Sequence, residues 1–338
     1  MRRLLCALVL AALPLTGACS ASDVDATVDD ETREANEDAL TGKGRVQIVV
    51  SVDWEGRDLL PQNLDAMKAL RRDYPTVRIV QFLNAAYFTK PGANATTVSA
   101  QIKSALLPTD DLGLHIHGWK RLFEASGVAF RTTPNFWGRP YLSNDCSFDC
   151  GHEVPISAYT EPELEKVIGF SIATLEANGL GHAKSFRAGG WMAKDNVRQA
   201  LVAKGIVWDS SAVPQPYLAA ELGTLPLLQW VGEEWKGTTA ASQPYVITTA
   251  KGPLKEVPDN GALADYVSAD EMVDVFQQAK TRWIADQTKN QVVSIGFHQE
   301  TAATYLPRIR AALDRIFAIA KTEQIPISRV TTKSLRVY

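Results

Sequence analysis

The sequence predicts one large α/β domain built on a parallel sheet, and two observations carry that prediction. Continuous β-branched runs, the pattern of strands buried on both faces, alternate along the chain with segments of helical period. From Val46 onward about 290 residues follow without a second low-complexity break, which suits one substantial core better than two small ones.

The elements follow in order. The first strand is 46–52, Val-Gln-Ile-Val-Val-Ser-Val, whose lack of polar alternation leaves no solvent face; it ends on Asp53-Trp54-Glu55-Gly56. A helix over 64–72 leads to an apolar run at 77–83 that stops at Asn84, and a helix over 98–107 leads to a third strand at 112–117. Residues 120–155 break the rhythm with Phe123, Phe130, Phe136, Trp137 and Tyr141 among Gly, Pro and Asn. So long a connection in a compact domain is usually functional, and it predicts a flap. A helix over 160–178 has Thr160 as N-cap and Glu163 in capping-box register. Then come a strand at 183–186 leading into Arg187, a helix at 196–204, and a strand at 205–208 leading into Asp209. The Gly-, Pro- and Trp-rich stretch 214–258 shows one strand near 245–248. A helix over 269–286 capped by Ser268, a strand over 291–297 ending on His298, a helix over 308–321 and a strand over 325–330 complete the chain.

The N-terminus has Met1-Arg2-Arg3, an apolar stretch over 4–15, and Thr16-Gly17-Ala18 before Cys19. A basic start, a short apolar run and small residues before a cut site make 1–18 an export leader, well under the ~20 residues of a membrane-spanning helix. The residues before Cys19 resemble the lipobox of bacterial lipoproteins, which implies lipidation of Cys19 and a membrane-anchored protein, periplasmic or at the cell surface. Ordinary secretion with cleavage near Ala18 is the alternative. Residues 19–44, acidic and without aromatics, read as a disordered tether, leaving 45–338 as the folded domain.

The formal net charge is −3 and no basic tract follows Arg3, so nothing marks a nucleic-acid-binding face, and a neutral or weakly charged substrate suits the chain better. Of the four cysteines, Cys6 leaves with the leader and Cys19 is the lipid site, leaving Cys146 and Cys150. In an oxidising compartment the pair is expected as a disulfide stapling the flap. A Cys-x3-Cys-x-His metal site including His152 is the competing idea, with no fourth ligand in view.

Parallel β/α folds gather their chemistry just past the C-terminal ends of strands. Here those ends carry Asp53 and Glu55, His115 and His117, Arg187, Asp209, and His298. His115 and His117 are two of five histidines; residues i and i+2 of a strand share a face ~6.5–7 Å apart, so both imidazoles can reach one metal ion. Each group singly has an ordinary explanation, such as the exposed face of a half-buried strand. Jointly they supply carboxylate and imidazole ligands, a spare carboxylate as base and a spare histidine as acid, the set for metal-assisted hydrolysis.

Ser51-Val52-Asp53-Trp54-Glu55-Gly56, Leu112-Gly113-Leu114-His115-Ile116-His117-Gly118-Trp119, Phe186-Arg187-Ala188-Gly189-Gly190-Trp191, Trp208-Asp209-Ser210-Ser211 and Gly296-Phe297-His298 occur in this order. The set resembles the five motifs of the polysaccharide deacetylase family, also called the NodB homology domain or carbohydrate esterase family 4, over most of the chain from Val46 to Val330. The resemblance implies a distorted (β/α) barrel of about seven parallel strands and removal of acetyl groups from a cell-wall or extracellular polysaccharide. It further implies one divalent metal, Zn²⁺ being favoured by mixed N/O ligation with Co²⁺ or Mn²⁺ as alternatives. By motif, Asp53 is the general base and Glu55 a metal ligand, two roles that can exchange between them. His115 and His117 are the remaining ligands, although the family's His-x3-His spacing would fall on Trp119. Arg187 orients the base, Asp209 orients His298, and His298 protonates the leaving group. Trp191 and Trp119 either stack on sugar faces or simply pack. Two other readings stay open: a carbohydrate-binding lipoprotein without turnover, and a metal-dependent amidohydrolase on a small non-sugar amide.

Overall fold

Strand β1, Val46–Asp53, is buried along its whole length, as its valine- and isoleucine-rich run predicts. In the computed structural model, which describes residues 42–141, 146 and 148–336, it pairs in parallel with β2 (Ile79–Leu83) and with β8 (Gln291–His298). The expected leader, Cys19 and the tether up to residue 41 lie outside the described residues. From β2 the sheet continues through β3 (Asp111–Ile116), β4 (Ser185–Ala188), the two-residue β5 (Trp208–Asp209) and β7 (Gly252–Glu256), all parallel. β6 (Tyr245–Thr249) folds back on β7 as the antiparallel partner, and β9 (Ile327–Val330) adds to the N-terminal half of β1.

The ring is drawn together by the segment that follows β7. Asp259 N–H donates to Ala212 O at 2.7 Å beside β5, and Ala264 N–H donates to Gly296 O at 2.8 Å on β8. Leu263 and Gly296 form a parallel bridge. The result is a distorted (β/α) barrel in which β1, β2, β3, β4, β5, β7 and β8 run parallel, the architecture the motif resemblance implies. Helices α1 (Pro61–Asp73), α2 (Ala95–Lys103), α3 (Lys120–Ala125), α4 (Glu161–Ala177), α5 (Asp195–Ala203), α6 (Gln215–Leu222), α7 (Pro226–Glu234), α8 (Ala269–Ala285) and α9 (Ala302–Thr322) complete the fold. The expected capping box of Thr160 with Glu163 forms on α4, and the expected cap Ser268 forms one with Glu271 on α8. α9 starts six residues before the expected 308, running through Pro307, a residue that in sequence reads as a helix boundary.

Strand parity sorts the side chains. Ile48, Val50 and Val52 of β1 join the large core, whereas Val49 packs with Val80, Phe82, Val292 and Val330 in a smaller one. Ser51 and Asp53 share the parity of Val49, and both meet the Arg187 guanidinium of β4, which also lies over the Phe82 ring. The interior is therefore apolar at its base and polar where the strands end, and that gradient places the chemistry at one mouth.

Candidate active site and metal centre

Glu55 lies two residues past β1, where the chain still follows the sheet through the 3.0 Å bond from Trp54 N–H to Phe82 O. Its peptide oxygen accepts from Asn84 Nδ2 at 3.1 Å and from Trp119 Nε1 at 2.7 Å, which fixes where its carboxylate points. Four of the five histidines surround that carboxylate. Oε1 is 3.2 Å from His115 Nε2 and 3.4 Å from His298 Nε2; Oε2 is 2.8 Å from His117 Nε2 and 2.5 Å from His152 Nε2.

The tautomers of the strand pair follow from their other nitrogens. His115 Nδ1 faces Arg187 O at 2.8 Å and His117 Nδ1 faces His152 O at 2.7 Å. A carbonyl only accepts, so both Nδ1 atoms carry a proton, and a neutral ring so held turns its Nε2 lone pair toward Glu55. Burial pushes His117 down to about 4 against the pull of Glu55. Burial also works against the charge of Glu55, yet His117 and His298 hold its pKa well below the ordinary carboxylate value. Lone pairs facing an ionised carboxylate are acceptors facing an acceptor, an arrangement that a cation between them resolves. Donor atoms of Glu55, His117 and His152 lie within 4.8 Å of one another, as do those of Asp53, Glu55 and His298, so the residues present fit a metal ion.

Around this centre stand the acid and base candidates. Asp53 Oδ1 is 3.1 Å from Arg187 Nη1, while Arg187 Nη2 reaches Asp259 Oδ1 at 3.3 Å and Ser210 Oγ at 2.9 Å. Arg187 is fully buried; burial opposes its charge, and Asp259 and Asp53 outweigh that and raise its pKa. His298 Nδ1 pairs with Asp265 Oδ2 at 3.0 Å. Burial lowers the His298 pKa, but Asp265 and then Glu55 carry it up to about 10. Gly189, in the Arg-Ala-Gly-Gly-Trp motif, is required by close approach: a Cβ there would stand 2.6 Å from the His117 ring.

The structure thus brings Asp53, Glu55, His115, His117, Arg187 and His298 together, and it corrects one assignment. Asp209 does not orient His298. It accepts from Ser211 Oγ at 2.6 Å and lies against Glu256 in a fully buried acid pair, because β5 ends beside β7, which carries Glu256. The carboxylate on His298 is Asp265, from the segment that closes the barrel. Trp119 is buried, with its N–H on Glu55 O and the Lys90 ammonium 3.2 Å from its ring centroid, so it supports Glu55 from behind. Trp191 lines the site cavity and directs its N–H to Asp259 Oδ2 at 3.3 Å. A disulfide joins Cys146 and Cys150, as the spacing suggested, and His152 is free of that pair. Asp259, Asp265 and the contact of His152 with Glu55 were missed in sequence; the only signals were Asp-Asn-Gly and Ala-Asp-Tyr after an unreadable stretch and a Gly-His-Glu after the cysteines.

No protein-family model matches the chain, and no curated protein matches it. Solved structures similar to it include carbohydrate esterases of family 4. One is the family 4 carbohydrate esterase from Streptomyces lividans in complex with acetate, 11% identical over 88% of this chain and 97% of that one, with a TM-score of 0.42. Another is PuuE allantoinase, 13% identical over 86% and 89%, with a TM-score of 0.47. A third is a family 4 pseudoenzyme from Bacillus anthracis, 11% identical over 84% and 63%, with a TM-score of 0.37.

The centre opens into a cavity of about 260 Å³. Its lining is mixed: Asp53, Glu55, His115, His117 and His298 are joined by Phe136 and Trp137 of the flap and by Leu222, Leu225 and Leu227 of α6 and the approach to α7.

Proposed function

We propose that the chain is a metal-dependent hydrolase that removes acetyl groups from a cell-wall or extracellular polysaccharide, exported and anchored through Cys19. The observation that supports it most is the convergence on Glu55 of two imidazole lone pairs, with the Asp53–Arg187 pair on one side and the His298–Asp265 pair on the other. Glu55, His115 and His117 would hold a divalent cation, Zn²⁺ suiting the mixed donor set. When bound, the ion supplies Lewis acidity to a carbonyl oxygen and to water.

The chain's own residues do the rest. Asp53, fixed by Arg187, is placed to take a proton from water. His298 has its Nδ1–H on Asp265 and is held protonated, so its Nε2–H is available to the departing amine or hydroxyl as the acyl bond breaks. Ordinary general acid–base steps of this kind contribute ~10²–10⁴-fold each. Acetate release from acetylated oligosaccharides with Zn²⁺, Co²⁺ or Mn²⁺ supplied is the test: the wild type is expected to turn over, and Asp53→Asn and His298→Ala to lose at least ~10²-fold. No release from any acetylated glycan would refute the reading.

The apolar residues in the cavity lining favour a second reading, amide hydrolysis on a small non-sugar substrate under the flap. Turnover of small N-acyl amides without turnover of acetylated oligosaccharides would select it.

A further inference from the structure

Resting on the reading of this site as a cation centre, we propose that His152, carried by the 120–155 flap and not by a barrel strand, is a direct ligand of the same cation, so that the flap completes the metal site. Its Nε2 is 2.5 Å from Glu55 Oε2, the oxygen that His117 Nε2 approaches at 2.8 Å. The two imidazoles are stacked, 3.9 Å between centroids and 8° from parallel, and both present Nε2 to that one oxygen. Ligand atoms ~2.0–2.2 Å from a tetrahedral zinc stand roughly 3.3 Å apart, so three donors within 4.8 Å need only a small adjustment to share an ion.

The far side of His152 is built as a ligand's would be. Its Nδ1 faces Glu153 Oε1 at 3.2 Å; a carboxylate accepts, so the proton sits on Nδ1 and the Nε2 lone pair is left for the cation. Glu153 is itself held by the Tyr141 hydroxyl, and its N–H donates to that same oxygen at 3.0 Å. Arg57 Nη2 also lies 3.4 Å from His152 Nδ1, a donor facing a donor, which adds nothing to the arrangement.

The flap is pinned at this point by its backbone. His152 O takes the His117 Nδ1–H, and Lys120 N–H donates to Cys150 O at 2.7 Å. Gly118 and Gly151 let the two segments touch: a Cβ on Gly151 would stand 2.2 Å from Gly118 O, and one on Gly118 would stand 2.5 Å from Val154 O. One carbonyl therefore fixes the tautomer of His117 while the same residue's ring sits beside it, and the spacing of the two imidazoles depends on that close approach.

The test uses the full chain and cation binding, not turnover. Zn²⁺ affinity and the visible spectrum of the Co²⁺-loaded protein are compared for wild type, His152→Ala and His115→Ala. His152→Ala is expected to weaken Zn²⁺ by ~10–100-fold or more and to change the Co²⁺ bands as one nitrogen donor is lost. An unchanged affinity and spectrum in His152→Ala, with binding lost in His115→Ala, would overturn the inference and leave the proposed function standing, His152 then being only an ion-pair partner of Glu55. A wild type that holds no divalent cation would overturn both. A crystal structure of the wild-type zinc protein decides the matter even if a variant fails to fold: zinc at bonding distance from His152 Nε2 supports it as a ligand, and zinc held without it excludes it.

Discussion

Asp265→Asn removes the carboxylate that faces His298 Nδ1 at 3.0 Å while keeping its size. In the native chain burial lowers the His298 pKa, and Asp265, followed by Glu55 and Asp53, carries it from an ordinary 6.5 to about 10. An opposite charge in direct contact shifts a pKa by ~1–3 units, equivalent to ~1–4 kcal/mol between protonation states. The asparagine variant is therefore expected to titrate His298 ~1–3 units lower. The sign follows from linkage: a raised imidazole pKa makes the charged ring stabilising, a contribution fully present below the unfolded value of 6.5 and lost as pH rises through about 10. In the variant that loss comes at lower pH, and the alkaline limb of kcat/KM moves down with it. Ring NMR titration of the cation-free protein measures the first effect, and a pH–rate profile the second. Asp209→Asn is the control, expected to leave His298 unmoved. If His298 titrates unchanged in Asp265→Asn, or moves in Asp209→Asn instead, the pairing described here is wrong.

Arg187→Met leaves the buried Asp53 and Asp259 carboxylates without their shared cation and is expected to cost ~3–5 kcal/mol in urea unfolding; a loss below about 1 kcal/mol would contradict its role. The Asp209–Glu256 pair gives a pH-dependent signature. Burial first, then Asp209, raises Glu256 well above its ordinary value, while burial raises Asp209 to about 6. Acids with raised folded pKa values favour their neutral forms, so stability is expected to fall as pH rises above ~4–6, and Glu256→Gln should flatten that slope in urea midpoints taken from pH 5 to 8. An identical slope in the variant would show that the pair does not share a proton. Asp53→Asn is expected to keep Zn²⁺ binding while losing acetate release, separating the base from the ligand set; loss of the ion itself would make Asp53 a ligand.

Much of the barrel was legible because its causes are local. An unbroken run such as Val46 to Val52 is buried on both faces in any parallel sheet, and capping boxes at Thr160 and Ser268 act within one turn. The positions of Asp53, His115, Arg187 and His298 at strand ends follow from period-2 geometry. The stretch 214–258 resisted because its helices α6 and α7 are short and it holds only one readable strand. Its sequel, 259–265, carries two carboxylates of the site but adopts no strand of its own, being held by one backbone bond to Ala212 and three to β8.

The chain's order of residues by itself determined which types of chemistry stand at the strand ends: carboxylates at the end of β1, paired imidazoles at the end of β3, an arginine near the end of β4, a histidine at the end of β8. Tertiary structure decided which acid serves which base. Asp209 pairs with Glu256 of β7, Asp265 comes in beside His298 from the closing segment, and the flap sets His152 against Glu55. The physical reason is range. Strand periodicity and caps act over a few residues, whereas these pairings join positions 33 and 97 apart in sequence for Asp265–His298 and Glu55–His152, and only closure of the barrel and docking of the flap bring such positions into contact.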